Sequence, residues 1–312
     1  MHFEMGNTPH ISVLLAEVLE ALLPTAQGMP LFIDGTLGAG GHAAAVLRAA
    51  PTARLLGIDR DPSSLSIARQ RLSPFADRVI FAHANYDQMA ALAAQHGFAG
   101  VSGILLDLGI ASMHVDTPER GFSFRADAPL DMRYDPESGV PSAADLLNTL
   151  STDAIADLLH TYGEERESRR LARAIVAARP LHSTGQLAAI IQRAATSREK
   201  IHPATRTFQA LRIAVNDELG ALERTLPQVV SLLKPQGRVA IISFHSLEDR
   251  IVKQFLARES TDCLCPPRQV ICTCGHTASL RLVSRKPITA SAAEITANSR
   301  SRSAKLRVAE RL

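Results

Sequence analysis

The sequence predicts an α/β fold: a doubly wound parallel sheet interrupted by an inserted, mainly helical domain. Three observations lead there. Apolar β-type runs alternate with helical patterns through the first third. After Gly109 that rhythm gives way to a stretch rich in Pro, Gly, Asp and Ser, and then to helical patterns up to about residue 214. Strand-and-helix order then resumes. Alternating strands and helices build a parallel sheet covered on both faces. The expected division is residues 1–112 with 215–312 as one discontinuous Rossmann-like domain, and 113–214 as the insert.

"SVLLAEVLEALL" is broken by Glu17 and Glu20 and reads as an amphipathic helix. "LFIDG" reads as the first strand, followed by a helix over 41–49. "RLLGIDRD" supplies the second strand, and Asp61 and Pro62 cap and open the next helix. "RVIFAHANY" is a third strand, with a helix near 88–96, and "GILLDLG" is the fourth. The unbroken apolar runs "GILL" and "VIF" suit strands buried on both sides. "NDELGALERTLPQVVSLL" and "GRVAIISFHS" resume the pattern, and Ser246 with Asp249 matches a capping box for the helix that follows.

The chain has 312 residues, 46% of them apolar, enough for a substantial core. Net charge is only +3, too small to declare a nucleic-acid binder. From Arg281 to Leu312, however, eight Lys/Arg face two Glu. That tail suits either a solvated segment or an RNA contact. "MHFEMGNTPH" lacks the basic and apolar parts of a secretory leader, and no apolar run reaches 18 residues. No membrane contact and a cytoplasmic location are therefore expected.

The opening "LFIDGTLGAGGH" places Asp34 before a glycine loop, an order typical of nucleotide-like ligands. Gly35 and Gly40 have P-loop spacing, but Gly41 and His42 stand where Lys and Ser/Thr are needed. Gly38 and Gly40 could open a dinucleotide pattern, with Ala43 in its third glycine position. S-adenosylmethionine is the third reading. It needs close backbone approach and carboxylates for ribose hydroxyls and an ammonium group, which Asp34 fits.

Asp59 ends the second strand 18 residues after Gly41, where an acidic residue commonly binds ribose. Tyr86 follows the third strand and suits packing on adenine. Asp107 ends the fourth, where a carboxylate after four apolar residues needs a partner. Phe244 and His245 end a later strand and are expected to face the same site. In "RGFSFRADAPLDMR", Phe122 and Phe124 lie between Arg120 and Arg125, a mixture that suits unpaired bases and phosphates. Lys200, Arg206 and Arg212 stand around a helix start in "KIHPATRTFQALR" and read as solvated charges unless they face the cleft. Cys263, Cys265, Cys272 and Cys274 form two C-x-C pairs, tighter than the usual C-x₂₋₄-C of zinc sites. They are assigned no metal here; a structural ion and reduced thiols both remain open.

"DGTLGAGGH", "IDRDP", "LLDLG", "RGFSFR", "PLDMR", "TYGEER", "HPATRTFQALRIAVN" and "SFHSLEDRIVK", in that order, resemble the ribosomal small subunit methyltransferase H family, also called MraW. The resemblance runs from about His10 to "NSRSRSAKLRVAER". It implies methyl transfer from S-adenosylmethionine to the exocyclic amine of one cytidine in the decoding region of 16S rRNA. It further implies that Gly40, Gly41 and His42 line the cofactor, with Asp59 on its ribose, Tyr86 at adenine and Asp107 beside it. His114 stands where relatives often carry Gln. Asp107 is the expected acceptor for the target amine, with Phe122, Phe124 or Phe244 stacking on its base. A DNA amine methyltransferase, a nicotinamide-dependent oxidoreductase and a non-catalytic RNA-binding assembly factor are the competing readings.

Overall fold

The computed structural model describes residues 12–196, 202–267, 269 and 271–312; the opening decapeptide and Lys200 lie outside them. The chain divides into two compact units, Met1–Gly109 with Ala221–Leu312, and Ile110–Gly220.

In the first unit the order is α1 (Leu15–Leu22), β1 (Leu31–Asp34), α2 (Gly41–Ala49), β2 (Arg54–Asp59), α3 (Pro62–Arg71), β3 (Val79–His83), α4 (Met89–Gln95) and β4 (Val101–Asp107). The insert carries α5 (Ser112–Asp116), α6 (Ala143–Thr149), α7 (Thr152–Gly163), α8 (Ser168–Ala177), α9 (Thr184–Ala194) and α10 (Ala204–Asn216). The helix α11 (Glu218–Leu232) runs across the boundary. Then come β5 (Leu233–Ser243), α12 (Ser246–Glu259), β6 (Leu280–Leu282), β7 (Ile288–Thr289), α13 (Ala292–Ala297) and β8 (Lys305–Arg311).

Among the described residues the strands form one sheet in the order β3-β2-β1-β4-β5-β8-β6, with β7 also on β8. The strands β1 to β5 are parallel, and β8 is antiparallel to β5. Period-2 alternation divides the strand side chains between two cores. Phe32, Leu55, Leu105, Ala240, Ile242, Leu306 and Val308 enter one. Ile33, Leu56, Ile104, Leu106, Val239, Ile241 and Ala309 enter the other. Both faces are therefore buried, as the unbroken apolar runs require.

The basic tail is an integral part of this sheet. Lys305 and Arg307 pair with Asp249 at 3.1 and 2.8 Å, and Arg281 pairs with Glu310. Alternation in "KLRVAER" was the available signal for β8.

The capping expectation for α12 is off by one residue. The cap is His245, whose Nδ1 lies 3.5 Å from the Glu248 N–H, while Glu248 accepts back from the His245 N–H at 3.3 Å. Asp249 is taken up by Lys305 and Arg307, so Glu248 serves in its place.

The insert has its own core, built by Leu147, Leu159, Leu171, Ile175, Leu187, Ile191 and Leu211. Ser142, Ser151 and Ser183 cap α6, α7 and α9 through their hydroxyls. Asn216 pins the loop before α6: its Oδ1 accepts from the Tyr134 N–H at 2.9 Å and its Nδ2 donates to the Met132 carbonyl at 2.7 Å. Arg212 and Glu218 form a two-point pair, each contact 2.8 Å, so this expected surface cation is engaged within the insert. Gly121 holds a left-handed φ of 72°, and a Cβ there would overlap the Pro129 carbonyl and lie 2.8 Å from the Asp131 nitrogen. Gly121→Ala is expected to cost about 2–3 kcal/mol, read as a fall in the chemical-denaturation midpoint; an unchanged midpoint would contradict this packing.

Candidate active site

The parallel strands end together, and three carboxylates stand at adjacent ends: Asp59 on β2, Asp34 on β1 and Asp107 on β4. Ligands of open α/β sheets sit outside these ends. Asp59 organises the glycine loop, accepting from the Gly38 N–H at 2.6 Å and from the Asp61 N–H at 2.8 Å. Gly38 and Gly40 take left-handed φ values of 53° and 76°, and Gly40 caps α2. Gly41 is needed for a different reason: a Cβ there would overlap the Ser12 hydroxyl, so close packing of α2 decides that position.

Asp34 is 3% exposed, and its Oδ1 accepts from the Thr36 N–H at 3.1 Å. Burial pushes its carboxyl up to about 7; His42 and the Thr36 N–H oppose this, while Asp107 and Asp59 add to it. Burial also pushes Asp107 up to about 7, with Glu248 adding. The Asp107 N–H donates to Thr36 Oγ1 at 2.6 Å, which holds the strand end. Its Oδ1 is buried and has no hydrogen-bond partner.

His42 is buried beside it. Its Nε2 lies 2.9 Å from the Val13 carbonyl, an acceptor only, so Nε2 carries the hydrogen. Burial holds its pKa below the ordinary value, although Asp34 pulls the other way. In the neutral ring the Nδ1 lone pair then faces Asp107 Oδ2 at 3.6 Å.

The same unit holds the other expected residues. Tyr86 follows β3, half-buried against the second core. Phe244 packs beside Gly109, where a Cβ would meet its ring at 3.4 Å. His245 caps α12 and places Nε2 3.1 Å from Glu248 Oε1. Glu248, 2% exposed, was missed by sequence reasoning. Its only signal was a second acid in "SLED". Thr36 and Ser12 were likewise missed, because their roles rest on long-range contacts.

The remaining expected residues belong to the insert. His114 is 5% exposed, its Nδ1 accepting from the Ala111 N–H at 3.2 Å. It packs between Phe122 and Tyr134, with ring centroids 5.1 and 4.9 Å away. Phe122, expected to stack on a base, lies against the Tyr134 ring at 5.3 Å in the ligand-free chain. Its burial comes from this aromatic cluster. Phe124, half-buried, stacks on His202 at 4.7 Å and meets Phe208 edge-on at 4.9 Å. Arg125 is exposed.

The donor set suits S-adenosylmethionine. Three carboxylates, two raised by burial, and an unpartnered buried oxygen call for a ligand with positive charge and hydrogen-bond donors. An adenosyl group with an ammonium and a sulfonium supplies both, and the loop carries no Lys or Arg to meet the charge of a phosphate.

Comparison with known proteins agrees. Proteins named ribosomal RNA small subunit methyltransferase H are similar along nearly the whole chain. The one from Nitratidesulfovibrio vulgaris is 51% identical, covering 98% of this chain and 86% of its own. That from Heliobacterium mobile is 51% identical, over 97% and 99%. That from Geobacter sp. (strain M21) is 52% identical, over 99% and 100%. The model of the MraW methylase family matches residues 7–312, and with that extent the chain belongs to the MraW methylase family.

Proposed function

We propose that this chain methylates the exocyclic N4 amine of one cytidine in the decoding region of 16S rRNA, with S-adenosylmethionine as methyl donor. The observation that carries the chemistry is the buried, unpartnered Oδ1 of Asp107 at the end of β4. The names of the relatives support a ribosomal RNA substrate. Bound S-adenosylmethionine would supply an electrophilic methyl group carried on a positive sulfur. Asp34, Asp59, the Gly38–Gly41 turn and Tyr86 would hold it. In this reading the insert, with exposed Arg125 and half-buried Phe124, recognises the RNA.

A cytosine amine is a poor nucleophile because its electron pair is shared with the ring. Asp107 Oδ1 accepts a hydrogen bond from the amine, which localises that pair and stabilises the charge developing on nitrogen. As nitrogen gains its methyl it must lose a proton, and Asp107 receives it. The resulting acid faces the His42 Nδ1 lone pair 3.6 Å away and keeps the proton until the product leaves and water enters. The base must be unpaired or flipped to reach this depth, and alignment of the amine is worth several kcal/mol.

Labelled-methyl transfer tests the reading, with free 16S RNA, purified small subunits and cytosine-containing DNA offered in parallel. Label is expected in N4-methylcytidine at a single RNA site after nuclease digestion and mass spectrometry. Label on another base, on ribose or only in DNA would overturn it.

A further inference from the structure

Between α12 and β6 the chain runs from Ser260 to Ser279 with neither helix nor strand among its described residues. Among the described residues its larger apolar side chains are exposed, Leu264 at 43% and Ile271 at 76%. All four cysteines of the chain lie here as free thiols, and the chemistry above uses none of them.

Their sulfurs nevertheless converge, all within 4.8 Å of one another. Cys263 and Cys272 are 3.5 Å apart, as are Cys272 and Cys274. Cys265 and Cys272 are 4.0 Å apart, Cys263 and Cys274 3.9 Å. Ligands at about 2.3 Å from a tetrahedral ion stand roughly 3.8 Å from each other. These separations bracket that value and exceed the ~2.05 Å of a disulfide.

The backbone reinforces the arrangement. Leu264, between the first two cysteines, donates its N–H to Cys274 Sγ at 3.3 Å. Thr273, between the other two, donates to Cys265 Sγ at 3.4 Å. Each C-x-C pair thus sends its middle N–H to the second sulfur of the other pair. Such donors favour thiolate over thiol. His276, whose Nε2 lies 3.0 Å from the Arg258 carbonyl, does not join the group of converging ligand atoms.

We propose that Cys263, Cys265, Cys272 and Cys274 form a closed tetrathiolate site for a soft divalent ion, zinc in the first instance, and that the ion folds this loop. Four thiolates in tetrahedral array select zinc among common divalent ions. With all four positions filled by protein, the site is structural. Two short pairs facing each other achieve what a longer C-x₂₋₄-C spacing does elsewhere. Binding forms four metal–sulfur bonds, releases the remaining thiol protons to solvent and transfers no electron.

The test uses the full chain, purified in reducing, metal-free buffer. Elemental analysis is expected to find about one zinc per chain. Titrating stripped protein with Co²⁺ is expected to give thiolate-to-cobalt charge transfer and the strong visible bands of tetrahedral coordination. The double variant Cys272→Ser with Cys274→Ser should lose both signals, and chelation should speed proteolysis within 260–279 by about tenfold or more. Wild-type protein that holds no zinc and gives no such cobalt bands overturns the proposal. So would cobalt bands surviving in the double variant, or isolated protein whose mass shows the four thiols already paired as disulfides.

Discussion

Asp107→Ala is expected to lower kcat for methyl transfer by about 10²–10³-fold, with the chain still folded. Its N–H bond to Thr36 Oγ1 belongs to the backbone and survives the change. What disappears is the unpartnered Oδ1 and the group that faces His42 Nδ1. Circular dichroism and thermal unfolding would establish the fold, and single-turnover labelling the rate. Near-normal turnover would remove Asp107 from the chemistry. A pH profile gives a second readout. Only the carboxylate can take the amine's proton, and burial with Glu248 nearby holds its acid form up to about 7 in the free chain. Methylation should therefore fall as pH drops through that region, and a bound cation should move the fall to lower pH.

Asp34→Asn is expected to separate stability from binding. Its carboxyl is pushed by burial from 3.8 up to about 7. Between those values the folded chain holds a proton that the unfolded chain has lost, so stability falls as pH rises through this window and stays low above it. Asparagine keeps an acceptor for the Thr36 N–H and removes the charge. The variant should be more stable than the parent by about 1–2 kcal/mol at pH 8, with the gain vanishing below pH ~4. Its affinity for S-adenosylhomocysteine, read by calorimetry, should weaken by roughly 30-fold, about 2 kcal/mol for a lost buried charge partner. A less stable variant at pH 8, or unchanged affinity, would contradict the account of three carboxylates awaiting a cation.

Periodicity made much of this molecule legible beforehand. Three apolar runs, each followed by a helical pattern, and a fourth that closes the series placed β1 to β4 over the observed strands. Asp34, Asp59 and Asp107 could be placed because each ends such a run. Contacts distant in sequence were not legible. Ser12 explains Gly41, and Thr36 holds Asp107 across 71 positions. His114 and Phe122 carry side chains that suit ligands equally well, and only the neighbouring Tyr134 ring shows them in an aromatic core. The tail's charge suggested a solvated arm or an RNA contact, because its partners are met only in the fold: Asp249 on α12, and Glu310 beside Arg281 through the pairing of β6 with β8.

Pairing of β4 with β5 also sets an order of assembly. Gly103 and Arg238 are partners although the whole Ile110–Gly220 unit lies between them in the chain. Closing so long a disordered segment is entropically slow. If the insert collapses first, with Asn216 drawing its end back to Met132 and Tyr134, the connection shortens before the sheet must zip. The inserted core thus acts as an internal folding clamp, and refolding of the sheet should slow whenever that core is weakened, even by a change far from any strand.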